Sequence, residues 1–62
     1  MILRYIVEKE GTPTFTATSQ CKLKIEAELK VDCLRRINIK TGYIKYSNFK
    51  LYTDDNIEIC NL

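Results

Sequence analysis

Histidine and tryptophan are both absent from this chain of 62 residues. Histidine is the side chain that most often transfers protons near neutral pH and ligates metals. Without it, neither a Ser–His nor a Cys–His nucleophile pair can be built. No glycine-rich phosphate loop or paired catalytic motif replaces it, and the adjacent Asp54 and Asp55 are typical of a turn. We therefore expect a protein that is not an enzyme and that binds neither a cofactor nor a metal.

Glycine and proline are also scarce, with two and one copies, and 45% of the residues are hydrophobic while 29% are charged. This composition disfavours disorder and low-complexity structure. No apolar run approaches the roughly 20 residues that a membrane-spanning helix needs, and Arg4 interrupts the apolar N-terminal stretch. We expect one small domain over residues 1–62, cytoplasmic, with no signal peptide and no membrane partner.

The three cysteines, Cys21, Cys33 and Cys60, are odd in number and show no C-x-x-C spacing. A short secreted chain would be expected to carry an even disulfide framework. The favoured interpretation is therefore a reducing cytosol in which the thiols serve as small buried apolar groups. A disulfide between Cys21 and Cys33 stays open as an alternative, as does a zinc site, although the spacing matches no zinc-ligand pattern.

Hydrophobic alternation is the strongest pattern in the chain. From Phe15 to Ile39 the apolar residues fall on odd positions, with Leu34 as the one exception, and every even position from 22 to 32 is charged. Such alternation is typical of a strand with one buried face, and a helical wheel gives no single apolar stripe. The pattern predicts one long curled strand near residues 21–33, followed by a β-bulge at residues 34–36.

The length of this predicted strand limits how it can be accommodated. Thirteen extended residues would span about 43 Å, whereas a compact chain of this size is roughly 27 Å across. The strand must bend around a small barrel, contain a hairpin within residues 15–33, or pair with another copy of the chain. The charged row from 22 to 32 is interpreted as a solvated face, and the alternative is an edge that pairs with a second chain in a homodimer or in a β-augmented complex with another protein.

The remaining segments also read as strands joined by turns. Strands are predicted at residues 2–8, 14–19, 43–53 and 57–59, and turns at 10–13, 40–42 and 54–56. Together they predict an all-β fold, a small antiparallel barrel or strongly curved sheet of about five strands in the SH3-like or OB-like class. Aromatic residues at every third position between 43 and 52 leave a helix there as an alternative.

Charge is distributed unevenly along the chain. Residues 1–34 are neutral overall, residues 35–52 carry five cations and no acid, and the remaining residues carry three acids. Interleaved cations and aromatics are typical of β modules that bind nucleic acid. The alternative is that the aromatics fill the core and the acidic tail covers the cations. The candidate partner-binding residues are Arg35, Arg36, Lys40, Tyr43, Lys45, Tyr46, Lys50 and Tyr52.

These observations favour a small non-enzymatic binding module. The first hypothesis is a protein-binding inhibitor, regulator or accessory protein, of a kind found in bacteria and their viruses, that acts through a sheet edge or through the Tyr- and Lys-rich segment 43–52. The alternative hypothesis is a nucleic-acid-binding β module that uses the basic and aromatic segment 35–52. A protein partner, a second copy of the chain and nucleic acid are the three partners that the sequence predicts.

Overall fold

The chain forms four strands and one helix. The computed structural model describes the backbone of residues 1–62 and every side chain except that of Thr41. The elements are, in chain order, β1 (Ile2–Lys9), β2 (Phe15–Gln20), α1 (Lys24–Thr41), β3 (Ile44–Tyr52) and β4 (Glu58–Asn61). The sheet has the order β2-β1-β3-β4 with every neighbouring pair antiparallel. The predicted antiparallel sheet is confirmed, but the sheet is open, has four strands and does not close into a barrel.

Central strand β1 supplies much of the core. Its odd-numbered side chains Leu3, Tyr5 and Val7 are buried, and Leu3 lies opposite Leu51 of β3. Helix α1 packs on this face of the sheet, mainly against β3, and contributes buried Ala27, Val31 and Leu34. The opposite face of the sheet is not covered by any element that the structure describes. We call it the open face.

The predicted strand at residues 21–33 is wrong, because most of this segment belongs to α1. In a helix, residues four positions apart lie on the same side. Ala27 and Val31 form one such series against the sheet, and Ile25, Leu29 and Cys33 form another on the opposite side. The two series are offset by two residues, so together they place an apolar residue at every odd position. A helix with two apolar sides thus reproduces the alternation of a strand.

The interpretation of residues 34–36 as a β-bulge is also wrong, since α1 continues through them. Helix propensity had favoured this outcome, because Lys, Glu, Leu and Ala dominate residues 22–30. The helix also has a local start signal: the backbone N–H of Lys22 donates to Oε2 of Glu26 over 3.1 Å. Eighteen helical residues span about 27 Å, which fits within the 33 Å longest dimension of the molecule. The helix therefore removes the length problem that an extended segment would pose.

A β-bulge in β3 explains the aromatic spacing of residues 43–52. Asn48 adopts a positive φ of 53°, and the pairing between β1 and β3 shifts register at this point. The extra residue puts Tyr46 and Phe49 on the same face, where both rings pack against Tyr5 at centroid distances of 5.9 and 5.7 Å. The strand prediction for this segment is confirmed, and the alternative of a helix here is wrong.

The turns between β1 and β2 and between β3 and β4 fall where the sequence predicted them. The turn predicted at residues 40–42 begins later, because α1 continues through Thr41. The turn after the helix depends on Gly42, which adopts φ 72° in the left-handed region. Glycine is the residue that reaches this conformation without a steric penalty from a Cβ atom.

Gly42→Ala is expected to lower the free energy of unfolding by about 1–2 kcal/mol. An added Cβ would meet no atom within 4 Å, so the loss comes from the backbone conformation alone. Thermal unfolding followed by circular dichroism measures the change. Gly42→Asn is the matched control, because asparagine tolerates positive φ and should lose less. Equal losses for the two variants would contradict this explanation.

Candidate interaction surfaces

The eight residues predicted to bind a partner do not form one surface. Arg35, Arg36 and Lys40 lie on the C-terminal half of α1, and Tyr43 is exposed in the connection to β3. The other four lie on β3, where Tyr46 faces the helix side while Lys45, Lys50 and Tyr52 face the open side. The segment is continuous in sequence, but the fold distributes its side chains over both faces of the molecule.

Two of the predicted residues hold the fold together. The Nη2 atom of Arg35 donates to the main-chain oxygen of Leu62 over 2.6 Å, and its guanidinium lies 5.3 Å from the ring centroid of Phe49. Tyr46 packs its ring on Tyr5, and its backbone N–H and C=O both bond to the side chain of Asn38. These contacts tie the C-terminal half of α1 to β3 and to the end of the chain.

Cations on the open face are offset by neighbouring groups. The guanidinium of Arg4 lies 4.5 Å from the ring centroid of Tyr52 and donates to Oδ1 of Asn56. Lys50 forms an ion pair with Glu58 at 3.7 Å, so part of the acidic tail does lie against the basic strand. Lys45 lies opposite Glu8 in the sheet register. Carboxylates thus neighbour Lys45 and Lys50, whereas the contacts of Arg4 are to the neutral side chains of Tyr52 and Asn56.

The open face also offers little area for base stacking. Of the aromatic side chains on β1 and β3, Tyr52 points to this face, while Tyr5, Tyr46 and Phe49 pack on the helix side. A shallow depression of about 190 Å³ lies beside Tyr52, with Arg4, Ile6 and Thr16 in its lining. One ring beside a small depression differs from the row of aromatic rings on which single-stranded nucleic acids stack.

The solvent side of α1 presents a continuous row of residues that we call the outer stripe. It consists of Ile25, Leu29, Cys33, Arg36 and Lys40, all of which are exposed. With Ala27 at zero on a helical wheel of 100° per residue, these five fall between about 160° and 240°, opposite the face that packs on the sheet. Ile25 and Leu29 are 55% and 59% exposed, and Leu23 at the N-cap is also 59% exposed.

Polarity changes along the outer stripe. Its N-terminal part is apolar, with Ile25, Leu29 and Cys33 spaced four residues apart. Its C-terminal part is basic, and neither Arg36 nor Lys40 forms an ion pair with any residue that the structure describes. Sequence reasoning identified Arg36 and Lys40 but assigned Ile25 and Leu29 to a buried strand face. The signal for their exposure was the second series of apolar residues at a spacing of four.

The cysteines are three free thiols in different environments. Cys21 is buried, as predicted, whereas Cys60 is half-buried and Cys33 is exposed on the outer stripe. The alternative of a Cys21–Cys33 disulfide is therefore wrong. Among the residues that the structure describes, no three Cys, Asp or Glu side chains come together in a way that could hold a metal ion. No helix in that described part is both long and apolar enough to cross a membrane.

Comparison of the chain with protein-family models, with curated proteins and with solved structures found no match.

Proposed function

We propose that this chain is a non-enzymatic protein-binding module that docks the outer stripe of α1 into a groove of a partner protein. The observation that supports the proposal most strongly is the exposure of Ile25 and Leu29 on the helix side that faces away from the sheet. Contiguous exposed apolar groups on a soluble domain mark interaction sites, since leaving them in water contributes nothing to folding. Apolar residues spaced three and four apart are the anchors of a helix that binds in a groove.

The chemistry of the stripe defines the chemistry of the partner. The apolar part of the stripe fits a groove lined by aliphatic or aromatic side chains, with Leu29 at its centre. The cations Arg36 and Lys40 follow at the C-terminal end and lack carboxylate partners among the described residues. We infer that the partner groove carries acidic residues at the end that receives this part of the helix, because complementary charges fix orientation and accelerate association.

Nucleic-acid binding through residues 35–52 stays a prediction that the geometry favours less. The basic side chains of this segment lie on the helix and on the open face, where Lys50 is paired with Glu58 and Lys45 lies opposite Glu8 in the register. Phosphate-binding proteins instead collect cations on one face. The charged row 22–32 cannot serve as a sheet edge for protein binding, because most of that row is helical. Protein binding through a sheet edge would therefore have to use a different part of the molecule.

Leu29→Glu is expected to weaken partner binding about thirtyfold or more, the effect of losing a central interface residue. The partner is first trapped through a photo-reactive amino acid placed at position 29, then purified and titrated by calorimetry. Ile57→Glu is the matched control, because Ile57 is 63% exposed and lies in the turn between β3 and β4. Both variants should keep the circular dichroism spectrum of the parent, since neither side chain is part of the core.

The titration separates the two functions. A partner whose affinity falls with Leu29→Glu and with Arg36→Glu, but not with Ile57→Glu, supports docking through the outer stripe. A partner whose affinity is equal for all these variants contradicts it. A single-stranded oligonucleotide that binds the parent and is released by Lys45→Glu, with binding that falls steeply as salt rises, would support the nucleic-acid function instead.

A further inference from the structure

Strand β2 forms one edge of the sheet, and the hydrogen bonds at its end show which of its backbone groups are unpaired. The N–H of Cys21 donates to the carbonyl of Met1 over 2.9 Å, and the nitrogen of Met1 donates to the carbonyl of Cys21 over 2.8 Å. Hydrogen-bonded and non-hydrogen-bonded pairs alternate along an antiparallel ladder. Odd-numbered residues of β2 therefore bond to β1, and Thr16, Thr18 and Gln20 direct their N–H and C=O groups away from the sheet.

Nothing in the sequence of β2 protects this edge. Its six residues, Phe15–Gln20, include no charged residue and no proline, although 29% of the chain is charged. Natural sheets usually blunt an exposed edge with charges, proline, bulges or very short strands. The opposite edge follows that practice, because β4 is four residues long, pairs with a register shift and carries Glu58. One edge of the sheet is thus blocked, and the other can accept a strand.

We propose that two copies of the chain pair through β2, antiparallel and around a two-fold axis, to form a continuous eight-stranded sheet. A second copy fits because the edge is neutral, so that self-pairing opposes no like charges within the strand. Residues paired across strands must share a face, which requires the pairing to be centred on a residue and not between two residues. Any residue-centred register satisfies this condition, and the two that keep most of β2 paired are centred on its middle residues, Ala17 and Thr18.

Centring on Thr18 uses the free backbone groups best. Thr18 then pairs with the partner's Thr18, and Thr16 pairs with the partner's Gln20 on both sides of the axis. Each of these three pairs exchanges two N–H···O bonds, so that residues within the strand supply six bonds. Centring on Ala17 leaves Gln20 opposite Thr14, which lies outside β2. The register centred on Thr18 is therefore the one that we propose.

Side chains near the axis are compatible with this register. On the open face, threonine lies opposite threonine, a favourable cross-strand pair. On the helix face, Phe15, which is 50% exposed in one copy, lies opposite the partner's Cys21 and gains cover. The same register brings Lys22 toward the partner's β1–β2 turn, which carries Glu10. Because each copy retains only the blunted β4 edge, association stops at the dimer.

Sedimentation over a range of concentrations tests this proposal. The parent chain is expected to dimerise, and Thr18→Pro should weaken the dimer about tenfold or more, since the variant loses the outward N–H at the axis in both copies. The β1–β2 ladder does not use that N–H, and proline is tolerated where an edge N–H faces solvent. Thr18→Val keeps the N–H and the side-chain shape, and it should still dimerise. A parent chain that stays monomeric up to about 1 mM overturns the proposal.

A charge-swap experiment tests the register and does not depend on a proline variant folding. Thr18→Lys and Thr18→Glu should each dimerise roughly fivefold more weakly than the parent, because like charges then face each other across the axis. A mixture of the two variants should form a heterodimer, because opposite charges then face each other across the axis. This result is specific to the proposed register, since only a residue on the two-fold axis pairs with the same residue of the other copy. If changes at Thr18 leave the dimer unaffected while Leu29→Glu abolishes it, the dimer forms through the helix. That outcome would overturn pairing through β2. The partner titration of the outer stripe is independent of this result.

Discussion

Leu51→Ala is expected to lower the free energy of unfolding by about 3–5 kcal/mol, the range for removing a fully buried leucine side chain. Leu51 is 0% exposed and lies opposite Leu3, which is also fully buried, in the ladder between β1 and β3. A chain of this length has a total stability of roughly 3–9 kcal/mol. The substitution should therefore leave much of the protein unfolded at physiological temperature, as measured by urea denaturation followed by circular dichroism.

Two further variants keep this prediction testable if Leu51→Ala does not fold. Leu51→Val removes one methylene from the same site, and it should cost about 1 kcal/mol while leaving a measurable transition. Leu29→Ala makes the larger change on the exposed side of α1 and should alter stability by about 0.5 kcal/mol or less. Similar losses for Leu29→Ala and Leu51→Ala would contradict the assignment of the core to the sheet side of the helix.

The strands and turns could be predicted because their signals are local. Residues 2–8 were predicted as a strand, and they form β1, in which Leu3, Tyr5 and Val7 are buried. Glycine and proline at positions 11 and 13, and the Asp-Asp-Asn sequence at 54–56, mark turns through their own backbone preferences. These features need no information about the rest of the chain.

The helix could not be recognised from hydrophobic periodicity, because the pattern used to recognise a helix is that of a helix with one apolar side. The pattern method identifies a helix when apolar residues collect on a single face. Here Ala27 and Val31 meet the sheet while Ile25 and Leu29 remain in water. The second series does not contribute to the core. Because it lies opposite the first series, the apolar residues no longer collect on one side of the helix, which is the distribution that the method detects. The same feature that misled the fold prediction is thus the basis of the proposed function.

The candidate surfaces were predictable only where a residue's role depends on its type. The cations Arg36 and Lys40 were identified from charge alone, and both lie on the outer stripe. Tyr46 and Lys50 were assigned to one surface because they are close in sequence, but a bulge at Asn48 and the pleat of β3 separate them. Asn38 was missed, because a polar residue in an apolar alternation gives no sign of the backbone groups that it will meet.

Asn38 of α1 bonds to a part of the β3 edge that the short strand β4 does not reach. Its Nδ2 donates to the carbonyl of Tyr46 over 2.9 Å, and its Oδ1 accepts from the N–H of Tyr46 over 2.7 Å. Further along β3, the corresponding groups of Leu51 and Phe49 face Cys60 and Leu62 near the end of the chain. The side-chain amide thus completes the β3 edge as a neighbouring strand would, and it fastens α1 to the sheet.

Asn38→Leu is expected to lower the free energy of unfolding by about 2–4 kcal/mol, because it leaves the half-buried N–H and C=O of Tyr46 without partners. Asn38→Asp distinguishes hydrogen bonding from packing, since it preserves the shape and the acceptor but places a carboxylate oxygen against the Tyr46 carbonyl. We expect this variant to lose stability as well, whereas Asn61→Asp, an exposed change of the same chemistry, should change it little. Urea denaturation gives the three values, and amide hydrogen exchange at Tyr46 should accelerate in both Asn38 variants under native conditions. Unchanged exchange at Tyr46 in either variant would show that the Asn38 side chain does not protect this edge of the sheet.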